Sequence, residues 1–211
     1  MHFSKFKYLL ALCFVVCATN TSAQKWRSGV YASYTNNSSS LFNAKSGYQI
    51  GAKAEWNIVK GLNLQGGLAI EQRYYGGGIY FFNQKWYSRP IYFDIPISVG
   101  YKWNIAPNVK INVAVGPKFS VGMIGKYNLK TLMPDGVNIA AETGYHGNAY
   151  KDGQEGILNR FDVALGGEVG VELFKHYQLS VGYNKGLRDI TKQPYNDNHN
   201  RQWQVSLGYM F

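Results

Sequence analysis

Cysteine is nearly absent from this chain of 211 residues: Cys13 and Cys17 are the only two. Both fall in a leader-like start. Lys5 and Lys7 make it positive, Tyr8 to Ala18 (YLLALCFVVCA) is apolar, and Thr21-Ser22-Ala23 offers the small residues that a signal peptidase reads. The apolar run is too short for a spanning helix and ends in a cleavage pattern. Residues 1–23 are therefore predicted to be a secretory signal peptide, cut after Ala23. A lipoprotein signal at Cys17 would need a small residue where Val16 stands. The expected domain, residues 24–211, then has no cysteine, which excludes disulfides, thiolate catalysis and zinc–thiolate sites. No later run reaches the eighteen or so apolar residues of a membrane helix. Charged residues are scarce at 16 %, whereas the 24 glycines and 17 tyrosines are many for this length. One domain is expected.

A period of two runs through nearly all of the rest. In residues 47–58, Tyr48, Ile50, Ala52, Ala54, Trp56 and Ile58 alternate with Gly47, Gln49, Gly51, Lys53, Glu55 and Asn57. In 91–104, Ile91, Phe93, Ile95, Ile97, Val99, Tyr101 and Trp103 oppose Tyr92, Asp94, Ser98, Lys102 and Asn104. Eight strands are predicted, at about 27–35, 47–58, 61–73, 90–104, 108–124, 160–174, 177–187 and 202–211; the first alternates least cleanly. A helical period fits none of them.

One apolar and one charged face suit either a soluble sandwich or a membrane barrel, which turns the apolar face to lipid. Three features favour the barrel. Short connections (59–60, 105–107, 175–176) alternate with long ones (36–46, 74–89, 125–159, 188–201), the outer-membrane pattern, with both strand termini on the short-turn side. Aromatics collect at strand ends: Trp56, Trp103, Phe174, Tyr177, Tyr209 and Phe211 at one, and Tyr34, Tyr48, Tyr74, Phe93, Phe161, Tyr183 and Trp203 at the other. Third, the polar face balances. Six acids (Glu55, Glu71, Asp94, Asp162, Glu168, Glu172) meet six bases (Lys53, Arg73, Lys102, Lys110, Lys118, Arg160). A wetted face has no need of balance. A narrow lumen does, because an unpaired buried charge costs several kcal/mol, order of magnitude. The expected fold is all-β, an eight-stranded antiparallel up-and-down transmembrane barrel, and those twelve side chains are its expected lumen network. Eight strands leave an interior that side chains fill, so a diffusion porin is not expected.

Enzyme chemistry beyond the lumen would need a nucleophile and a base within reach of each other. His146, His176 and His199 are the histidines after the leader. Outer-membrane lipid A deacylases of this size class use a His-x-Ser pair, but here the triplets are His146-Gly147-Asn148 and His199-Asn200-Arg201. Ser88 could meet His199 only across loops. No zinc spacing occurs. Asn196-Asp197-Asn198 with Asp189 gathers oxygen ligands, yet reads first as a polar loop. Gly76-Gly77-Gly78 lacks the strand-to-helix context of a phosphate loop. No catalytic, cofactor or metal residue is assigned. Loop bases outnumber loop acids and would meet lipopolysaccharide phosphates; they form no continuous stripe for nucleic acid. Loop 74–89 reads as two strands continuing above the membrane as a hairpin, or else as an aromatic protein- or glycan-binding surface. Loop 125–159 is long enough for its own hairpin or a fold over the mouth.

Five stretches carry a resemblance: YFDIPISVGYKW (92–103), VAVGPKFSVGM (113–123), FDVALGGEVGVEL (161–173), YQLSVGYNKGLRDI (177–190) and the closing strand. Together they resemble the PorT-like small outer-membrane β-barrel proteins of Bacteroidetes, with Asp94 where Glu is more usual. The resemblance implies a Gram-negative outer membrane, with lipid and lipopolysaccharide around the barrel. It leaves function broad: a non-enzymatic structural or accessory role, in one member tied to secretion, or else an enzyme acting on lipid A or protein, or a narrow gated transporter. An envelope or secretion protein is the expected kind of partner. Tyr209 and Phe211 resemble the C-terminal signal read by barrel-assembly machinery.

Overall fold

The computed structural model describes residues 26–40, 43–79, 84–131, 145–150, 158–192 and 198–211. The expected leader lies outside them. Twelve strands are present in chain order: β1 (Trp26–Ser38), β2 (Lys45–Val59), β3 (Leu62–Gln72), β4 (Tyr75–Ile79), β5 (Gln84–Ser88), β6 (Ile91–Ala106), β7 (Val109–Ile124), β8 (Lys126–Thr131), β9 (Tyr145–Asn148), β10 (Phe161–Leu173), β11 (Tyr177–Asp189) and β12 (His199–Met210). Eight of them close a barrel in the order β1-β12-β11-β10-β7-β6-β3-β2, and every pairing is antiparallel. The seam is β1 on β12, running from Gly29 opposite Met210 to Ser38 opposite Arg201. Closure leaves no barrel strand with an unpaired edge, the condition for placing strands in hydrocarbon. Among the described residues no helix is long and apolar enough to cross a membrane; the crossing is made by strands of 11 (β3) to 16 residues (β6, β7).

The alternation in the sequence becomes two faces. On β12, Val205 is 47 % and Leu207 62 % exposed, while Gln202 is 0 % and Ser206 7 %. The apolar side chains therefore point away from the barrel and the polar ones into it. An outward shell of Val, Ile and Leu on every barrel strand is far larger than a water-soluble surface carries. Aromatic belts bound it. At the short-turn end Trp26 stacks on Trp56 at 5.5 Å and Tyr209 packs against Tyr177 and Phe211 at 5.4 and 5.6 Å. At the other end Tyr34 meets Tyr48 at 5.9 Å and Tyr183 meets Trp203 at 4.8 Å.

Prolines mark where the ladder skips. Pro96 and Pro117 lack an N–H, and the β6–β7 register passes from Pro96 opposite Lys118 directly to Val99 opposite Val115. Beside this gap a Cβ on Gly116 would stand 2.0 Å from the Ile97 carbonyl oxygen, so only glycine allows the strands to close there. The short turns are tight. Gly61 takes φ +83°, and Phe174 and Lys175, central in a turn closed by the His176 N–H on the Leu173 carbonyl at 3.0 Å, both take positive φ, a costlier choice for side-chain-bearing residues.

The remaining four strands form a second sheet, β4-β5-β8-β9. β4 and β5 pair as the hairpin expected for 74–89, and β8 and β9 pair as a hairpin, one of the two arrangements left open for 125–159. The sequence did not suggest that β5 would also pair with β8, joining the two hairpins above one side of the barrel.

Val205 faces lipid between the belts, two residues from Trp203 and four from Tyr209, so Val205→Arg should cost about 2–4 kcal/mol of folding free energy in a bilayer, while Val205→Ala should be mild. Urea unfolding of the reconstituted chain, followed by the gel shift between folded and heated forms, measures both.

Candidate functional site

The lumen carries two separate ion-pair layers. The upper layer, toward the long loops, is organised by Arg73. This guanidinium is fully buried just after β3, and each of its three nitrogens donates to a different side chain. Nε donates to Glu71 Oε2 at 3.0 Å, Nη1 to Asp162 Oδ2 at 2.7 Å and Nη2 to Ser120 Oγ at 2.7 Å, with Asp94 Oδ1 3.6 Å from Nη2. The Tyr92 ring covers the guanidinium at 4.1 Å, a cation–π contact. Lys118 adds a second cation, 3.4 Å from Glu71 and 3.9 Å from Asp94. Amides finish the layer: Gln49 donates to Asp94 Oδ2 at 2.8 Å, and Gln202 donates to Asn37 at 3.1 Å and to Glu71.

The lower layer, toward the short turns, is built on Glu55 and Glu172. Lys102 Nζ reaches Glu55 at 2.5 Å and Glu172 at 2.7 Å. Arg27 Nη1 lies 2.9 Å from both Glu172 carboxylate oxygens and 3.8 Å from Glu55. Lys110, partly exposed, stands 3.6 Å from Glu172, and Gln178 donates to both glutamates at 3.1 Å.

Between the layers is a small chamber of about 100 Å³. Lys118 of the upper layer and Gln178 of the lower one both line it, as do Lys53, Glu168, Gln65 and Gln204. A water needs only about 10–15 Å³ of such space, so the chamber has room for several. Glycines open it: a Cβ on Gly66 would meet nothing within 4 Å.

Eleven of the twelve expected lumen side chains face this interior, Lys53 and Glu168 at the chamber rather than in either layer. Arg160 does not. It precedes β10, is exposed, and lies 5.7 Å over the Tyr150 ring outside the lumen. The parity of β10 would aim it inward, but its carbonyl accepts the Gly122 N–H at 2.6 Å at the point where the chain turns out of the barrel. Arg27 takes the missing place, and the balance of six acids to six bases survives. Arg27 shares the odd parity of Ser33 and Thr35, which are buried. An inward aromatic, Tyr31, breaks the polar pattern between them and hides the phase.

A cap closes the outer mouth. Tyr75, Tyr92, Ala149, Tyr150, Leu158 and Ile190 form one buried cluster. Tyr150 packs edge-on against Tyr92 at 6.0 Å and lies where Cβ atoms on Gly122 and Gly125 would come within 2.3 and 2.6 Å of its ring. Burial pushes the Tyr75 and Tyr150 hydroxyls above their ordinary range.

The histidines are dispersed. His176 Nδ1 is 2.7 Å from the Met210 carbonyl oxygen and its ring stacks on Tyr209 at 5.4 Å, which ties a short turn to the last strand. His199 faces Asp189 across β11–β12, but Asp189 Oδ1 accepts the Asn198 N–H at 2.7 Å. The Ser88 hydroxyl donates to the Lys126 carbonyl at 2.8 Å, in the other sheet from His199. The side chain of His146, and residues 196 and 197, lie outside the described residues. Among those described, no three His, Cys, Asp or Glu side chains group to hold a metal.

The family described as outer membrane protein beta-barrel domain matches residues 9–211. Among solved structures, Neisserial surface protein A is 14 % identical (TM-score 0.49; 90 % of this chain, 97 % of that one). OprG of Pseudomonas aeruginosa is 13 % identical (0.46; 88 % and 94 %), and the attachment invasion locus protein Ail of Yersinia pestis 11 % (0.43; 90 % and 100 %). No curated protein matches the chain.

Arg73→Met would leave Glu71, Asp94 and Asp162 with Lys118 alone. Removing one partner of a buried ion pair costs about 3–5 kcal/mol, and Arg73→Met should lose stability of that order in urea. Arg73→Lys should lose less, and adding Glu71→Gln to Arg73→Met should restore part.

Proposed function

Because the chain belongs to the outer membrane protein beta-barrel domain family, and so to the outer membrane of Gram-negative bacteria, we propose that it serves there as a sealed, non-enzymatic barrel. Its role is structural or accessory, in envelope integrity or in secretion and surface assembly, as the PorT-like resemblance suggests. Residues 1–23 direct its export and are then cleaved off. The observation that carries this reading is the filled lumen. Two ion-pair layers and an apolar cap stand in series, so a solute would have to break all three. What such a barrel offers a partner is its outer end, where the β4-β5-β8-β9 sheet stands above the wall.

An enzyme of the outer rim is the second reading, favoured by His199 facing Asp189 there. It still requires a nucleophile.

Two measurements test the proposal. In planar bilayers the purified chain should insert without porin-like steps, and Glu55→Gln/Lys102→Gln should stay silent because the upper layer and cap remain. Steps in the wild type would favour the transporter instead. In cells, deletion should change the set of secreted or surface proteins, and His146→Ala/His199→Ala should restore it fully. Failure of that double variant, folded and present at normal level, would favour the enzyme.

A further inference from the structure

Lys185 and Arg201 are direct partners across β11 and β12, and both are exposed on the lipid side of the wall. Like charges directly opposite destabilise a strand pair, because their side chains leave Cβ atoms only about 5 Å apart. A protein acid could offset this, but among the described residues none does. The strand acids Glu55, Glu71, Asp94, Asp162, Glu168 and Glu172 face the lumen, and Asp189, at the end of β11, takes the Asn198 N–H. Among the described residues neither Lys185 nor Arg201 has an ion pair or an aromatic ring to rest on. On either side stand Leu165 and Ser38, which bring no charge.

Their height matters. Arg201 is eight residues up β12 from Tyr209 of the lower belt. At about 3.4 Å per residue and a tilt of about 40°, that is roughly 20 Å along the membrane normal, near the top of an apolar band about 25 Å tall. Directly beneath, Tyr183 packs on Trp203, the upper belt. A third cation joins from above. The β11–β12 register shifts between Lys185 and Asp189, and this irregularity leaves both Leu187 and Arg188 exposed, with Arg188 over the Phe161 ring at 5.8 Å.

We propose that Lys185 and Arg201 bind a phosphate of an outer-leaflet glycolipid, lipid A, on the outer wall of the barrel. Tyr183 and Trp203 support its junction of sugar and acyl chains, and Arg188 adds to the local positive field. The anion supplies the charge that the opposed cations lack. The acyl chains continue down the apolar wall past Val205 and Val181. This goes beyond the general basicity of the outer loops, because it assigns one site on one strand pair.

The test is native mass spectrometry of the whole purified barrel in detergent, titrated with diphosphorylated lipid A, with dephosphorylated lipid A and with inorganic phosphate. The wild type should retain diphosphorylated lipid A. Lys185→Gln/Arg201→Gln should bind it at least tenfold more weakly, whereas Lys45→Gln, at the mouth end of β2, should bind as the wild type does. Dephosphorylated lipid A should bind no better than the double variant binds the intact lipid. Inorganic phosphate should leave no adduct. Lys185→Glu places an acid opposite Arg201, so it should fold in lipid-free micelles at least as well as the wild type and lose lipid A. That variant carries the test if the double one fails to fold. Equal retention of lipid A by a folded variant would overturn the site, as would equal retention of the dephosphorylated lipid. An equal phosphate adduct would overturn the glycolipid as its occupant.

Discussion

Hydrocarbon offers a backbone amide nothing to bond to. Each unpaired N–H or C=O costs several kcal/mol there, order of magnitude, and the rest of this structure follows from avoiding that cost. Eight strands pair neighbour to neighbour, and the first pairs with the last from Gly29–Met210 to Ser38–Arg201. Where proline interrupts the ladder, at Pro96 and Pro117, glycine lets the strands approach closely enough for pairing to resume. Once the sheet is closed, each side chain must face either lipid or lumen, and the period of two in the sequence assigns it.

That assignment turns a soluble protein's arrangement inside out and creates a second constraint. An eight-stranded lumen is too narrow to hydrate a dozen charges as bulk water would, so they must serve as one another's counterions. The two layers divide this work unequally. The upper one sets Arg73 and Lys118 against Glu71, Asp94 and Asp162; the lower one sets Arg27, Lys102 and Lys110 against Glu55 and Glu172. One has an acid to spare and the other a base, and Lys53 with Glu168 at the chamber completes an even total. On the outer wall the same logic runs the other way. Lys185 and Arg201 have no counterion among the described residues, and the proposed lipid phosphate would supply one from the membrane.

Much of this was legible in the sequence, because periodicity and connection length are local. The eight barrel strands, the aromatic belts, the lumen role of Arg73 and the hairpin of 74–89 could all be read from residue order. What could not be read depends on departures from parity or on pairing over long separations. Arg160 sits at a strand end where the chain leaves the wall, so its phase said nothing about its direction. Arg27 was hidden because Tyr31 faces inward. The join of β5 to β8 and the seating of Tyr150 against Gly122 and Gly125 bring together segments that no period relates. The opposed cations on β11 and β12 emerge only when the register is known, since Lys185 and Arg201 are unremarkable apart.

The seam between β1 and β12 is therefore the point on which the account turns. Cysteines placed at Ala32 and Leu207, partners in that seam, can be oxidised in intact outer membranes, with a Val181–Val205 pair in the β11–β12 hairpin as reference. A closed barrel predicts a disulfide at both pairs with similar efficiency. A disulfide within the hairpin and none at Ala32–Leu207, in protein recovered from the membrane, would contradict closure and with it the paired-charge lumen that closure requires.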